Sequence, residues 1–257
     1  MNVGRQSEII ELARKIGRVT VEGLAERFGV TPQTIRKDLN ELCDLGYMKR
    51  VHGGAVIAST VENVGYEARR LIAQDAKRAI GRAAASLIPN NSSLVINIGT
   101  TTEEVAKALR DHHGLLVITN NINVVNILRP CQMIETIIAS GVVRHSDGGI
   151  VGEAAVQFIR GFKVDYAVIG TSAIDADGAL LDYDYREVSV ARTIVENARH
   201  IILAADSTKF SRTAPVRIGH LSDVDTFVTD RVESPQIHRI CAEAGARIVE
   251  TEDAAAG

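Results

Sequence analysis

Residues 94–109, LVINIGTTTEEVAKAL, open as a strand and continue as a helix, with Gly99-Thr100-Thr101 at the turn. The first N–H groups of a helix have no intrahelical partners and carry the positive end of its dipole, so such a turn suits an anion such as phosphate. Gly99 lets the backbone approach that anion closely, and the two hydroxyls add donors. The same residues equally suit a plain strand-to-helix N-cap. Glu103 and Glu104, in the first turn, oppose an anion unless they point sideways.

Further polar residues fall where apolar, strand-like runs end. Asn120 and Asn121 follow LLVIT (115–119), and Gly141 and Arg144 follow IETIIA (134–139). Asp175 and Asp177 follow VDYAVIG (164–170), and Asp206 and Lys209 follow HIILAA (200–205). Ligands of open α/β sheets sit at the carboxyl ends of strands, so the pattern points to a small, polar, anionic ligand. Taken singly, Asn120-Asn121 suits a turn, the two aspartates a loop, and Arg144 or Lys209 solvated surface. Bond-breaking motifs are missing from the chain: no GxSxG, GxxxxGK[ST] or HExxH occurs. His145, Ser146 and Asp147 are adjacent, whereas a catalytic triad converges from separate segments. GGIVGE has the wrong glycine spacing for a dinucleotide site, and the seven histidines show no metal-ligand spacing. The expectation is a binding pocket with no metal and no cofactor.

These residues need a scaffold. Besides the runs above, LVINI (94–98), DTFVTD (225–230) and ARIVET (246–251) read as strands, alternating with helical patterns from about residue 75. Near-continuous apolar strands alternating with helices indicate a largely parallel sheet covered on both faces. Residues 57–73, IASTVENVGYEARRLIA, show no clear period and read as a linker, and the tail TEDAAAG as frayed.

The first 56 residues have a different character. Ile9, Ile10, Leu12, Ala13 and Ile16 form a helical stripe ended by Gly17. Thr20 precedes a second helix, with Leu24, Ala25 and Phe28 on one face and Gly29 at its close. In VTPQTIRKDLNEL (30–42), Thr31 suits an N-cap and Pro32 the first helical position. Ile35, Leu39 and Leu42 share an inward face, which leaves Gln33, Lys37 and Asn40 opposite, with Arg36 beside them. Gly46 stops this helix, and YMKRVHGGAVI reads as two strands around a Gly-Gly turn. Short helix, tight turn, proline-started helix and basic hairpin, in that order, describe a winged helix-turn-helix. Thr31, Gln33, Thr34, Arg36 and Lys37 would then face the DNA major groove, and Lys49, Arg50 and His52 on the wing would meet phosphates.

Composition is compatible with both modules. The chain has 257 residues, 46% hydrophobic and 24% charged, with a net charge of −3. Residues 1–56 carry nine Lys or Arg against seven Asp or Glu, and the remainder 20 against 25. A basic head on an acidic body hints at a polyanionic partner for the head. No apolar run approaches the roughly 20 residues needed to span a bilayer. The charged N-terminus is no signal peptide, and three scattered cysteines fit reduced thiols, so the expected location is cytoplasmic.

VTPQTIRKDLNELCDLGYMKRVHGGA resembles the helix-turn-helix signature of the DeoR family of bacterial repressors. INIGTTTEEVAKAL, TNNINVVN, RHSDGGIVGEA and DADGALLDYDYREV extend the resemblance over roughly residues 5–250, most closely to the branch that answers to glycerol 3-phosphate. It implies an α+β chain of two domains: a winged helix-turn-helix (1–57), a linker (58–73), a mostly parallel α/β sensor domain akin to ribose-5-phosphate isomerase (74–252) and a tail (253–257). It also implies that a phosphorylated metabolite, glycerol 3-phosphate, releases the protein from double-stranded operator DNA, and that the protein is a homo-oligomer, dimer or tetramer. The effector set carried over is Asn97, Gly99, Thr100, Thr101, Asn120, Asn121, Gly141, Arg144, Asp175, Glu187 and Lys209.

Asp175, Gly178 and Glu187 resemble residues around the isomerase site. Where the isomerases carry a Lys-Gly-Gly-Gly run this chain has ALLDYDYR, so an enediolate would lose its cationic partner. The expectation is therefore a pocket that binds without turnover. Three positions depart from the family pattern: Asn97 stands for Asp, Ser140 for Gly, and Ala191-Arg192 for a Lys-Arg pair. The rival readings are a repressor answering to another sugar phosphate, and a sugar-phosphate isomerase with an appended helical module.

Overall fold

A computed structural model of the chain describes residues 3–44, 47–57 and 65–251. Backbone contacts divide it into two compact units, Met1–Ile72 and Ala73–Gly257. The expected helix stop at Gly46, residues 58–64 of the expected linker and the tail 253–257 lie outside the described residues.

The first unit contains α1 (Val3–Ile16), β1 (Arg18–Thr20), α2 (Val21–Phe28), α3 (Pro32–Asp44), β2 (Met48–Val51), β3 (Gly54–Ile57) and α4 (Tyr66–Leu71). Thr20 caps α2 by accepting the Gly23 N–H at 3.1 Å, and Gly29 closes it in the left-handed conformation at φ 61°. Ile9, Ala13, Leu24, Ile35, Leu39 and Leu42 form the core, as their helical spacing requires. Ile16, read as part of the α1 stripe, is instead 61% exposed, because Gly17 ends the helix there.

Two details of the hairpin differ from expectation. The turn between β2 and β3 is His52-Gly53, since Val51 pairs with Gly54. β1 adds a third strand, giving the order β1-β3-β2. Gly54 is needed for that strand: a Cβ there would lie 2.0 Å from the Val19 carbonyl oxygen. The segment read as linker also contains α4, where Arg69 and Arg70 lie over the Tyr66 ring at 5.9 and 5.8 Å.

The second unit runs α5 (Gln74–Ser86), β4 (Ser93–Ile96), α6 (Thr100–Ala108), β5 (Leu115–Thr119), α7 (Ile122–Leu128), β6 (Ile134–Ile138), β7 (Val142–Val143), β8 (Ile150–Val151), α8 (Glu153–Arg160) and β9 (Val164–Ile169). It continues with β10 (Ala173–Ile174), β11 (Ala179–Asp182), α9 (Tyr185–Glu196), β12 (Ala198–Ala204), β13 (Val216–His220), β14 (Thr226–Thr229), α10 (Pro235–Ala244) and β15 (Arg247–Glu250). Seven strands form one parallel sheet in the order β15-β14-β12-β9-β4-β5-β6, and these are the seven apolar runs of the sequence.

Alternate residues of each strand face opposite layers. Leu94, Ile96, Val117 and Ile202 pack under Ile80, Ala84, Val105 and Val124 of α5, α6 and α7. Val95, Ala167, Leu203 and Phe227 pack under Val156, Ile159, Val190, Ile194 and Ile237 of α8, α9 and α10. The carboxyl ends of β4, β5, β9, β12 and β14 therefore share one edge of a sandwiched sheet. β10, β11 and β13 form a small antiparallel sheet, and β7 and β8 form a hairpin.

Candidate functional sites

In the first unit, α3 presents Thr31, Gln33, Arg36, Lys37 and Asn40 to solvent, with Thr34 half-buried. Thr31 Oγ1 accepts the Thr34 N–H at 3.3 Å and lies 3.0 Å from Thr34 Oγ1, which caps the helix. Lys49, Arg50 and His52 are exposed on the hairpin. Arg50 Nη2 donates to Asn40 Oδ1 at 2.6 Å, so the hairpin is pinned to α3, and Arg18 Nη2 holds the turn through the His52 carbonyl at 2.8 Å.

The inner side of α3 is held by a pair that periodicity did not reveal. Arg5 Nε and Nη2 donate to Asp38 Oδ2 and Oδ1 at 2.7 and 3.2 Å, a two-pronged bond that joins α1 to α3. Asp38 is buried, so it sets the attitude of α3 and does not face a nucleic acid.

In the second unit, Asn97, Gly99, Thr100, Thr101, Asn120 and Lys209 stand at the carboxyl edge of the parallel sheet. Gly99 has φ 154°, and α6 begins after it without a side-chain cap. Thr102 Oγ1 bonds back to the carbonyls of Asn97 and Gly99 at 2.7 and 2.8 Å and so shapes the turn. The two acids do point sideways. Glu103 Oε1 accepts from Asn121 and Asn123 Nδ2 at 3.1 and 3.0 Å, and Glu104 pairs with Lys107 at 2.6 Å. Neither stands before the helix N-terminus.

Several expected ligand contacts are engaged elsewhere. Asn97 Oδ1 accepts the Ile98 N–H at 2.8 Å. Asn121 caps α7 through the Asn123 N–H at 2.9 Å while its amide holds Glu103. Gly141 serves packing: a Cβ there would lie 3.0 Å from the Val151 carbonyl oxygen. Asp175 is exposed on the turn between β10 and β11, at the far end of β11 from Asp182, and is not brought to the sheet edge.

Arg144, expected at the ligand, is bonded here to three carboxylates. Its Nε and Nη2 donate to Asp147 at 2.8 and 2.7 Å, Nη2 to Glu187 at 2.6 Å, and Nη1 to Asp184 at 3.2 Å. Burial opposes its charge, yet Asp147 and Glu187 raise its pKa above the usual arginine value. Asp184 is held down to about 2, chiefly by its bond from Arg186 and then by Arg144. Asn123 Nδ2 also donates to the Asp147 carbonyl at 3.0 Å. One polar network therefore runs from Glu103 through Asn123 and Asp147 to Arg144 and Glu187, tying the first turn of α6 to that of α9.

Asn120 and Asp206 behave differently. Asn120 is fully buried, and its Nδ2 donates to the Ile150 carbonyl at 3.1 Å. Its Oδ1 and Asp206 Oδ2 have no hydrogen-bond partner among the described residues. Asp206 lies two residues past β12 and caps the turn Ser207–Ser211. Burial would raise its pKa, but Lys209, Lys77, the Thr208 hydroxyl and Arg212 together lower it. Lys77, Lys209 and Arg212 are 2%, 8% and 9% exposed, so three sequestered cations gather around one sequestered carboxylate.

Lys77 and Arg212 were absent from the sequence-derived site. For Lys77 a signal existed: it lies on the stripe of Ile80, Ala84 and Ile88, one turn earlier, where a solvated lysine does not belong. β12 and β4 flank β9, so the strand that leads to Asp206 and the strand that leads to α6 lie two strand spacings, about 10 Å, apart in the sheet.

Comparison with known proteins places this arrangement. The DeoR-like helix-turn-helix domain matches residues 5–61, and the DeoR C terminal sensor domain matches residues 72–231. The glycerol-3-phosphate regulon repressor of Escherichia coli is 46% identical, over 88% of this chain and 90% of its own. That of Haemophilus influenzae is 47% identical, over 89% of each chain. The HTH-type transcriptional repressor CsqR of Escherichia coli is 38% identical over 89% of this chain and 87% of its own. Among solved structures, ribose 5-phosphate isomerase A from Methanocaldococcus jannaschii is 12% identical, covers 54% of this chain and 55% of its own, and has a TM-score of 0.41. That last likeness is too slight to argue from. The domain matches and the repressors' near-full-length similarity agree with a helix-turn-helix followed by a sensor domain, and this chain belongs to the DeoR family of transcriptional repressors.

Proposed function

We propose that the chain binds double-stranded operator DNA through α3 and the β2–β3 hairpin, and that a phosphorylated three-carbon polyol, glycerol 3-phosphate, weakens that binding. The observation that carries the effector reading is the carboxyl edge of the parallel sheet, where the strand leading to an uncapped helix N-terminus lies two strands from the one leading to the buried cluster of Lys77, Lys209 and Arg212. A phosphate ester with a short hydroxylated tail fits the donors of the helix and the charges of the cluster. The relatives' names support the same choice of ester.

The pocket binds without turnover in this reading. Glu187 is bridged by Arg144 at 2.6 Å, so that oxygen is not open to abstract a proton from a substrate carbon. A ligand lowers operator affinity only if it favours the weak-binding state, and DNA then weakens the ligand equally. We also propose a homo-oligomer, because paired modules on a two-fold axis match a palindromic operator, and a cytoplasmic location. No helix among the described residues is long and apolar enough to cross a membrane.

Melting curves with glycerol 3-phosphate, ribose 5-phosphate, glucosamine 6-phosphate and inorganic phosphate, run beside operator binding, test the reading. Glycerol 3-phosphate should raise the melting temperature and release the DNA. Another ester acting in its place would overturn the effector, and sustained conversion of ribose 5-phosphate would overturn the sensor itself.

A further inference from the structure

We infer that α5 is the lever by which the occupied sensor site acts on the chain that enters it, with Lys77 as its positioning residue and Ala73 as its output. This rests on the effector reading above, and three observations along one helix support it.

The first is Lys77. It sits in the first turn of α5 and is 2% exposed, at the end of a helix whose dipole repels a cation. The buried carboxylate of Asp206, two residues past β12, attracts it there, beside Lys209. A phosphate dianion arriving at that edge competes with Asp206 for the same ammonium. The start of α5 therefore responds to whether the site is filled.

The second is Gly81, one turn further on. A Cβ at this position would lie 2.7 Å from the carbonyl carbon and oxygen of Glu104 in α6. The two backbones pack closely here, with only the Glu104 Cβ beside the contact. Any displacement of α6 when an anion settles on its N-terminus is passed to α5 without slack.

The third is Ala73, the first residue of the sensor unit. It adopts the left-handed conformation, φ 51° and ψ 40°, which residues with a Cβ rarely take. Its carbonyl accepts the Lys77 N–H at 2.9 Å. The direction in which the chain enters is thus fixed to the same helical turn that carries Lys77. Glycine at this position would accept the conformation without holding the chain to it.

The experiment uses the full chain and glycerol 3-phosphate. Calorimetry gives the affinity for the ester, and fluorescence anisotropy gives operator affinity with and without saturating ester. For the wild type, coupling of this kind weakens DNA binding about 5- to 150-fold. Ala73→Gly should bind the ester as the wild type does, yet lose at least about threefold of that weakening. Lys77→Gln should show a reduced response even when saturated, whatever its affinity for the ester, and Lys77→Arg should restore part of it.

Full release of both Ala73→Gly and saturated Lys77→Gln would overturn the lever. A wild type indifferent to glycerol 3-phosphate would refute the effector assignment instead, and the same variants would then be read with whichever ester releases the wild type.

Discussion

Replacing Arg144 by alanine separates two roles for this residue. If it were a ligand contact, its loss would abolish the response to effector and leave the fold intact. The structure makes it a strut: its fork spans Asp147, Glu187 and Asp184 at 2.6–3.2 Å, and the side chains of Asp147 and Glu187 are 2% and 13% exposed. Alanine would remove the guanidinium that bridges two sequestered carboxylates. Breaking a buried pair by removing one partner costs about 3–5 kcal/mol. The sensor unit, Ala73–Gly257, falls in the size class where each kcal/mol moves the melting temperature by about 2–4 °C, so the fall should be about 6–20 °C. Arg144→Lys keeps the charge but not the fork, and should fall between alanine and wild type. Chemical denaturation checks the magnitude, and a thermal-shift titration checks ligand affinity. A variant within about 1 kcal/mol of wild type that no longer binds effector would refute the strut.

Gly54→Ala should destabilise the first unit by about 1–3 kcal/mol, because the new Cβ would lie 2.0 Å from a backbone oxygen that has little room to move. Gly53→Ala, with φ 73° but open space around it, should cost less, and a reversed order in melting curves would contradict the β1–β3 packing. Arg36→Ala should weaken operator binding and flatten the log–log salt slope by about one unit if the guanidinium meets phosphate, as titration against salt would show. Stability of the sensor unit should fall with acid. Asp184 is held near 2 against an ordinary 3.8, so the folded state binds fewer protons, and stability present above about pH 4 is lost as pH drops through about 2. Unchanged denaturation midpoints across that window would contradict the bonds drawn from Arg186 and Arg144.

The elements were legible because their signals are periodic and local. Seven apolar runs became the seven parallel strands, and Ile35, Leu39 and Leu42 turned α3 to the face that spacing assigned. The short pairings β7–β8 and β10–β11 were not legible, since each joins only two residue pairs and the two-residue strands β7, β8 and β10 have no period to detect. The charged partnerships were legible least of all. Arg144 has one partner nearby, Asp147, but meets Asp184 and Glu187 from 40 and 43 residues away, and Arg5 meets Asp38 across 33, so nothing in the local sequence announces these distant partners.

This division has a consequence for the effector. Asn121, Arg144 and Glu187 have ordinary surface-seeking polarity, and sequence reasoning assigned all three to the ligand. In the fold they bond to one another's neighbours and join α6 to α9. In the proposed reading, selectivity resides in the remaining groups of the sheet edge: the first N–H groups of α6, the hydroxyls of Thr100 and Thr101, the unpartnered Oδ1 of Asn120, and the Lys77, Lys209 and Arg212 cluster. These groups combine many donors with one buried amide acceptor. They suit a phosphate carrying a hydroxyl better than a neutral sugar, and they give no reason to prefer a keto group over an alcohol. Discrimination between phosphorylated three-carbon compounds should accordingly follow Asn120, whose Oδ1 accepts a hydroxyl proton but repels a carbonyl oxygen. In Asn120→Ala, affinity for glycerol 3-phosphate should approach that for dihydroxyacetone phosphate, and competitive titration of the two esters against wild type and variant would reveal it. A variant that keeps the wild-type ratio would move the choice of ester away from this amide.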